Sequence, residues 1–233
     1  MKTPQAAAAG LLANASFFGS LSAEDRETVA LCMRTAVFSA GQVIFLRHDE
    51  ARDLFVVRKG RVRLSILSSE GRELSLAHAT EGDVFGEIAL LDGGPRTANA
   101  TALTEVDALS LSRGALLTLI EARPSIAKAA IVFLCERLRT TDTNMEAIAL
   151  YPIESRLARF LLSAVKLQSP GAKEGVSRFC LDMSQSELAM LLGASRPKVN
   201  AALAALEDAG AVRRDGIEFI CDLEMLTACA AAE

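Results

Sequence analysis

Between Val37 and Leu111 the chain is cut into short apolar runs by glycine-bearing turns, and this punctuation restricts the fold more than any other feature of the 233 residues. The runs are Val43–Leu46, Asp53–Arg58, Arg61–Leu67 and Glu73–Ala77, with turns at Gly41, Lys59-Gly60, Glu70-Gly71 and Gly82-Asp83. Strand-length runs that return after each turn predict an antiparallel barrel or roll.

The texture then changes. After Ser112 the pattern becomes helical and stays so past Leu150, and Ala127, Ile131, Leu134, Leu138, Thr141, Met145 and Ile148 are spaced alternately four and three residues apart. That spacing is the a/d seam of a coiled coil, so the helix is expected to pair with its twin; a long helix packed on its own domain is the alternative. Tyr151-Pro152 interrupts the pattern, because proline lacks an amide donor and pushes the preceding residue out of helical geometry. A hinge is placed at Leu150–Pro152, followed by a helix over Ile153–Leu167 and a surface loop over Gln168–Gly175. At the other end, Leu11–Met33 reads as a helical lead-in, with Glu24 and Asp25 after Ser22 favouring a helix start.

Composition narrows the function classes. With 51% hydrophobic and 23% charged residues the chain can bury a core, yet no run approaches the roughly 18 to 20 apolar residues of a membrane span, so no membrane partner is expected. The stretch Met1–Ser16 is too broken by Gly10 and Asn14 for a secretory signal. Cys32, Cys135, Cys180, Cys221 and Cys229 are odd in number and scattered, which suits reduced thiols in a cytoplasm. No metal spacing, nucleophile pair or P-loop is present, so no enzyme is expected. A net charge of -4 means that any nucleic-acid contact must come from a local basic patch.

The run from Gly82 to Ala98 carries a specific chemistry. Gly86 lets the backbone approach a ligand, Glu87 can accept a ribose hydroxyl, and Arg96 can bind a phosphate with two parallel hydrogen bonds. Amides in the turn after Glu87, at Ile88 and Ala89, can add anion contacts. A surface ion pair bracketing a loop is the plainer alternative. The run resembles the phosphate-binding cassette of cyclic-nucleotide-binding domains, in which the glutamate and arginine also stand nine residues apart. Val57–Val62 and Ser69–Glu73 are similar to the hairpins of the same β-roll, so this resemblance covers about Phe38 to Leu111.

The C-terminal third carries a second pattern. Ser184 and Glu187 form a capping box, Gly193 permits a turn, and Ser195 can cap a second helix that tolerates Pro197 in its first turn. This is a helix-turn-helix, whose second helix would present Ser195, Arg196, Lys198 and Asn200 to DNA. Arg196 suits a guanine edge, and Ser195 and Lys198 suit phosphates. Gly210–Gly216, with Arg213 and Arg214, followed by a strand over Ile217–Cys221, has the form of a wing. The alternative is a small helical protein-interaction domain.

From about Phe17 to Leu226 the chain resembles the Crp/Fnr family of bacterial regulators. The resemblance implies an α+β chain in three parts: a jelly-roll-like cyclic-nucleotide-binding β-roll with its flanking helices over 11–125, a dimerisation helix over 126–150, and a winged helix-turn-helix DNA-binding domain over 151–233. It further implies a homodimer, double-stranded DNA and RNA polymerase as partners, and cyclic AMP as allosteric effector, with cyclic GMP or another nucleotide left open. A regulatory subunit of a catalytic partner is a rival that would need no capped recognition helix or wing. Thr97 and Thr141 match the family's base-contacting hydroxyls, whereas Asp142 stands where a serine usually reaches the partner's pocket. A carboxylate can accept adenine's exocyclic amine but cannot donate while ionised. Pro197 and Ala201 replace the family's usual glutamate and second arginine, so its DNA consensus does not carry over. The N-terminal cysteine cluster of its iron-sulfur members is absent, and the isolated His48 and His78 do not suggest haem. The Gln168–Gly175 loop is the expected polymerase surface on family position alone.

Overall fold

The computed structural model describes residues 4–71, 73–169, 171, 174–181 and 183–231. Pro170, Ala172 and Lys173 of the expected polymerase loop, and Arg72, lie outside the described residues. The chain divides into two compact units, Met1–Arg139 and Thr140–Glu233.

The first unit opens with helices α1 (Pro4–Asn14) and α2 (Ala23–Cys32). Within the helical lead-in expected over Leu11–Met33, Ala15–Leu21 turns between the two helices, and Ser22 caps the second by accepting from the Asp25 amide at 3.1 Å. Asp25 is buried there, where Arg123 and Ser125 donate to it at 2.7 Å each, and these bonds hold its carboxyl below the usual range.

Eight strands follow, β1 (Arg34–Phe38), β2 (Val43–Phe45), β3 (Asp53–Lys59), β4 (Val62–Leu67), β5 (Glu73–Ala79), β6 (Val84–Phe85), β7 (Asn99–Ala102) and β8 (Val106–Ser112), with helix α3 (Glu87–Asp92) between β6 and β7. They pair as two antiparallel four-stranded sheets, ordered β1-β8-β3-β6 and β2-β7-β4-β5, which is the expected β-roll. Gly41, Gly60, Gly71 and Gly82 all take positive φ at the turns. At Gly60 a Cβ would fall 2.3 Å from the Glu105 carbonyl oxygen, so this turn admits no side chain.

β3 shows how the two layers of core arise. Its Phe55 and Val57 pack between the sheets with Val62, Leu64, Phe85, Ala100, Ala102, Val106 and Ala108. Leu54 and Val56 point the other way, into a helical layer with Leu12, Phe17, Phe18, Val29, Leu116, Ile126 and Phe133. A strand covered on both faces reads as a continuous apolar run, as Leu-Phe-Val-Val does here.

The helical stretch after Ser112 comprises α4 (Arg113–Ala122) and the long helix α5 (Pro124–Leu150). Arg123 is extended at the break (φ -139, ψ 90) because Pro124 follows it. On α5, Ile126, Ala129, Ala130 and Phe133 face the core at helical spacing. Seam residues Ile131, Leu138, Met145 and Ile148 instead stay 50–66% exposed. From Thr140 onward α5 belongs to the second unit.

In that unit α5 stops at Leu150 and α6 (Ile153–Gln168) begins after Pro152, as the proline requires. Then come β9 (Val176–Cys180), α7 (Gln185–Leu191), α8 (Arg196–Asp208), β10 (Val212–Asp215), β11 (Glu218–Asp222) and α9 (Leu223–Ala231). The strands form one antiparallel sheet ordered β10-β11-β9. Leu157 and Leu161 of α6, Leu188 of α7, Val199, Leu203 and Leu206 of α8, and Leu226 of α9 share its core. Among the described residues no helix is long and apolar enough to cross a membrane.

Candidate nucleotide site and nucleic-acid interface

β6 runs into Gly86, which holds a left-handed conformation (φ 79, ψ 7) at the N-cap of α3. A Cβ here would sit 2.5 Å from Nη1 of Arg96, so glycine is required both by the backbone angle and by the approach of the guanidinium. After α3 the chain turns at Gly93 (φ 76) and returns to Arg96. The Arg96 backbone is tied on both sides to one loop: its N–H donates to the Asp49 carbonyl at 2.9 Å, and the His48 N–H donates to its carbonyl at 2.8 Å. His48 adopts φ 75 there, a rare conformation outside glycine.

The Arg96 side chain is 5% exposed. Its Nη1 donates to the Gly86 carbonyl at 2.8 Å and its Nη2 to the Asp53 carbonyl at 2.6 Å, while the guanidinium lies over the Phe45 ring at 4.0 Å. Its Nε is buried without a hydrogen-bond partner. Glu87 is 1% exposed, and its Oε1 is also buried without one. Arg137 of α5 pairs with that oxygen, its Nη2 at 3.7 Å. Burial pushes the Glu87 carboxyl above the usual carboxylate range, against the pull of Arg137 and Arg96, and burial likewise lowers Arg96.

Buried polar groups are nearly always hydrogen-bonded, and those left unmade cost about 1–3 kcal/mol each. Here a guanidinium with N–H donors to spare and a carboxylate with open lone pairs share one cassette. An anion bearing a hydroxyl, such as a ribose cyclic phosphate, supplies what each lacks. Of the other cassette positions, Ala89 is buried, and Ile88 and Thr97 are exposed. Thr141 and Asp142 are exposed on the part of α5 that belongs to the second unit, so the structure does not gather them with the cassette.

In the second unit the Ser184–Glu187 capping box forms in both directions, at 3.1 and 2.7 Å. Gly193 takes φ 61 at the turn, where Arg156 of α6 donates to the Leu192 carbonyl at 2.9 Å. Ser195 occupies the N-cap of α8 in extended geometry and is exposed, but makes no side-chain cap bond, which corrects its expected capping role. Arg196, Lys198 and Asn200 are exposed on the first turns, while Val199 beneath them is buried. The Arg196 Nε makes a loose 3.4 Å contact with Gln185.

The wing forms from β10 and β11, with its turn at Gly216-Ile217. Ile217 therefore sits at the tip rather than in the strand, which begins at Glu218. The two wing arginines differ. Both are exposed, but Arg214 is held by Glu207 of α8 through bonds of 2.6 and 2.8 Å, fixing wing to helix.

Two family models match the chain: the cyclic nucleotide-binding domain over residues 35–123 and the Crp-like helix-turn-helix domain over residues 155–229. The CRP-like cAMP-activated global transcriptional regulator of Mycobacterium tuberculosis is 33% identical over 207 residues, covering 88% of this chain and 92% of the relative. The chain belongs to the Crp/Fnr family of transcription regulators. It is a regulator with a cyclic-nucleotide-binding domain and a DNA-binding domain. Two solved structures share its fold. FixK2 from Bradyrhizobium japonicum has a TM-score of 0.73 at 23% identity, over 86% of this chain and 98% of its own. The c-di-GMP-responsive regulator CLP of Xanthomonas campestris has 0.71 at 24%, over 86% and 99%.

Sequence reasoning missed two members of the site, Arg137 and Phe45. Arg137 reads as a solvated helix charge, since its partner Glu87 lies far away in sequence; only its place four residues before Thr141 points inward to the seam. Phe45 reads as strand core, and nothing in a linear pattern places a ring beneath a guanidinium.

Proposed function

We propose that this Crp/Fnr regulator is a homodimer whose DNA affinity is set by cyclic AMP bound in the cassette, with Arg96 on the cyclic phosphate and Glu87 on the ribose hydroxyl. The observation that carries the reading is the buried Arg96–Glu87 set, whose hydrogen-bonding capacity the protein leaves partly unused. Gly86, Ile88 and Ala89 line the same turn, and Thr97 offers an exposed hydroxyl beside Arg96. Adenine is favoured by the cAMP-activated relative and by the base-contacting role that family resemblance gives to Thr141.

Homodimerisation through α5 is supported by Ile131, Leu138, Met145 and Ile148, large apolar side chains left half or more exposed at heptad spacing. The second domain then reads DNA through Arg196, with Ser195, Lys198, Asn200 and Arg213 on phosphates and neighbouring edges. Gating needs only that the nucleotide bind the DNA-competent state more tightly than the other. RNA polymerase as the downstream partner rests on family membership. The three-part division at 11–125, 126–150 and 151–233 follows from these roles.

A second reading has cyclic GMP, cyclic di-GMP or no nucleotide as effector, and the observation behind it is Thr97, whose hydroxyl beside Arg96 suits guanine as well as adenine. Calorimetry on ligand-stripped protein with the three nucleotides separates them. Tightest binding by cyclic AMP is expected; equal or tighter binding by either guanine nucleotide overturns the adenine assignment.

A further inference from the structure

The seam gives every residue of α5 a heptad position. With Ile131, Leu138 and Met145 at a, and Ala127, Leu134, Thr141 and Ile148 at d, residues 130, 137 and 144 fall at g and residues 135, 142 and 149 at e. In a parallel pair of helices, a g residue of one faces the e residue of the next heptad in the other, and charges placed there choose partner and register. Along this seam the steps from 130 to 135 and from 144 to 149 join uncharged residues, Ala to Cys and Asn to Ala. The remaining step joins Arg137 to Asp142, and the charges are opposite.

Arg137 is also the residue that meets the nucleotide site. Its Nη2 lies 3.7 Å from the buried Oε1 of Glu87, a distance that makes an ion pair rather than a close hydrogen bond between these two groups, and its side chain is 39% exposed. We propose that Arg137 is shared between Glu87 of its own pocket and Asp142 of the partner subunit, so that the partner's Asp142 completes the charge set of the nucleotide site. This rests on the homodimer reading above. It gives the departure at 142 a reason: a carboxylate there serves a guanidinium rather than a purine.

The sharing has a consequence for regulation. A ribose hydroxyl donating to Glu87 takes the place of Arg137 at that carboxylate and leaves the guanidinium to the partner's Asp142. Nucleotide binding therefore tightens the dimer, and by linkage dimerisation tightens nucleotide binding by the same factor.

A double-mutant cycle on the full chain tests this, with the dimer dissociation constant read by sedimentation for wild type, Arg137→Gln, Asp142→Asn and the double variant, each with and without saturating cyclic AMP. Exposed ion pairs are individually weak, but the two-fold axis makes two of them, so Asp142→Asn is expected to loosen the dimer about threefold. In the Arg137→Gln background the same substitution should change nothing, and the tightening by cyclic AMP should shrink in Asp142→Asn. An equal loosening in both backgrounds, or none in either while the dimer persists, overturns the shared pair. A wild-type chain that sediments as a monomer at micromolar concentration overturns the homodimer itself, and the pair with it. Melting curves serve as the fold control, because both side chains are at least partly exposed.

Discussion

Replacing Arg96 by glutamine is expected to weaken cyclic-nucleotide binding by about a hundredfold to several thousandfold. Removing one member of a buried, hydrogen-bonded charge pair costs about 3–5 kcal/mol, because the charge left behind has neither partner nor water. The cyclic phosphate would be that charge, held where Arg96 is 5% exposed and stacked on Phe45. Glutamine also cannot span the Gly86 and Asp53 carbonyls that the guanidinium now bridges. Arg96→Lys should fall between the two, since it keeps the charge and loses the planar fork. Titration calorimetry, with thermal melting to confirm an intact fold, reads the result. Wild-type affinity in Arg96→Gln would remove the arginine from the phosphate site.

The second large effect belongs to the recognition helix. Arg196→Ala should lower affinity for a selected DNA site about 5-fold to 150-fold, the 1–3 kcal/mol of a bidentate base contact, while affinity for scrambled DNA falls far less. Lys198→Ala should instead weaken both DNAs alike and flatten the salt dependence by about one unit of slope, as a phosphate contact does. Competition binding with both duplexes at two salt concentrations distinguishes these outcomes. The 3.4 Å contact to Gln185 is too loose to commit Arg196 elsewhere. Arg214 offers the contrast, since its two short bonds to Glu207 give it a structural task at the base of the wing.

What could be read directly from the amino-acid order shares one property, that cause and effect lie close together along the chain. Gly41, Gly60, Gly71 and Gly82 announce turns because each one's own φ requires glycine. The Ser184–Glu187 box and the Pro152 break are likewise settled within a few residues. In the cassette, Gly86, Glu87 and Arg96 stand out because one continuous segment must wrap one ligand.

The remainder depends on distant partners. β1 and β8 pair across some seventy residues, Arg34 against Ser110, and neither carries a turn signal that marks it alone. β9 is a strand because β11 lies beside it, Phe179 against Phe219, rather than through its own composition. Arg137 joins the site through Glu87, and Ser195 forgoes the cap bond that its sequence position favours.

Gating is tested most directly by the affinity of the dimer for its own selected DNA site, measured by fluorescence anisotropy without nucleotide and with saturating cyclic AMP. Coupling between two sites in one protein is commonly worth about 1–3 kcal/mol, so cyclic AMP should tighten DNA binding at least about fivefold, and Arg96→Gln should show no such response. Cyclic AMP that binds the cassette and leaves DNA affinity unchanged would contradict nucleotide control of this regulator.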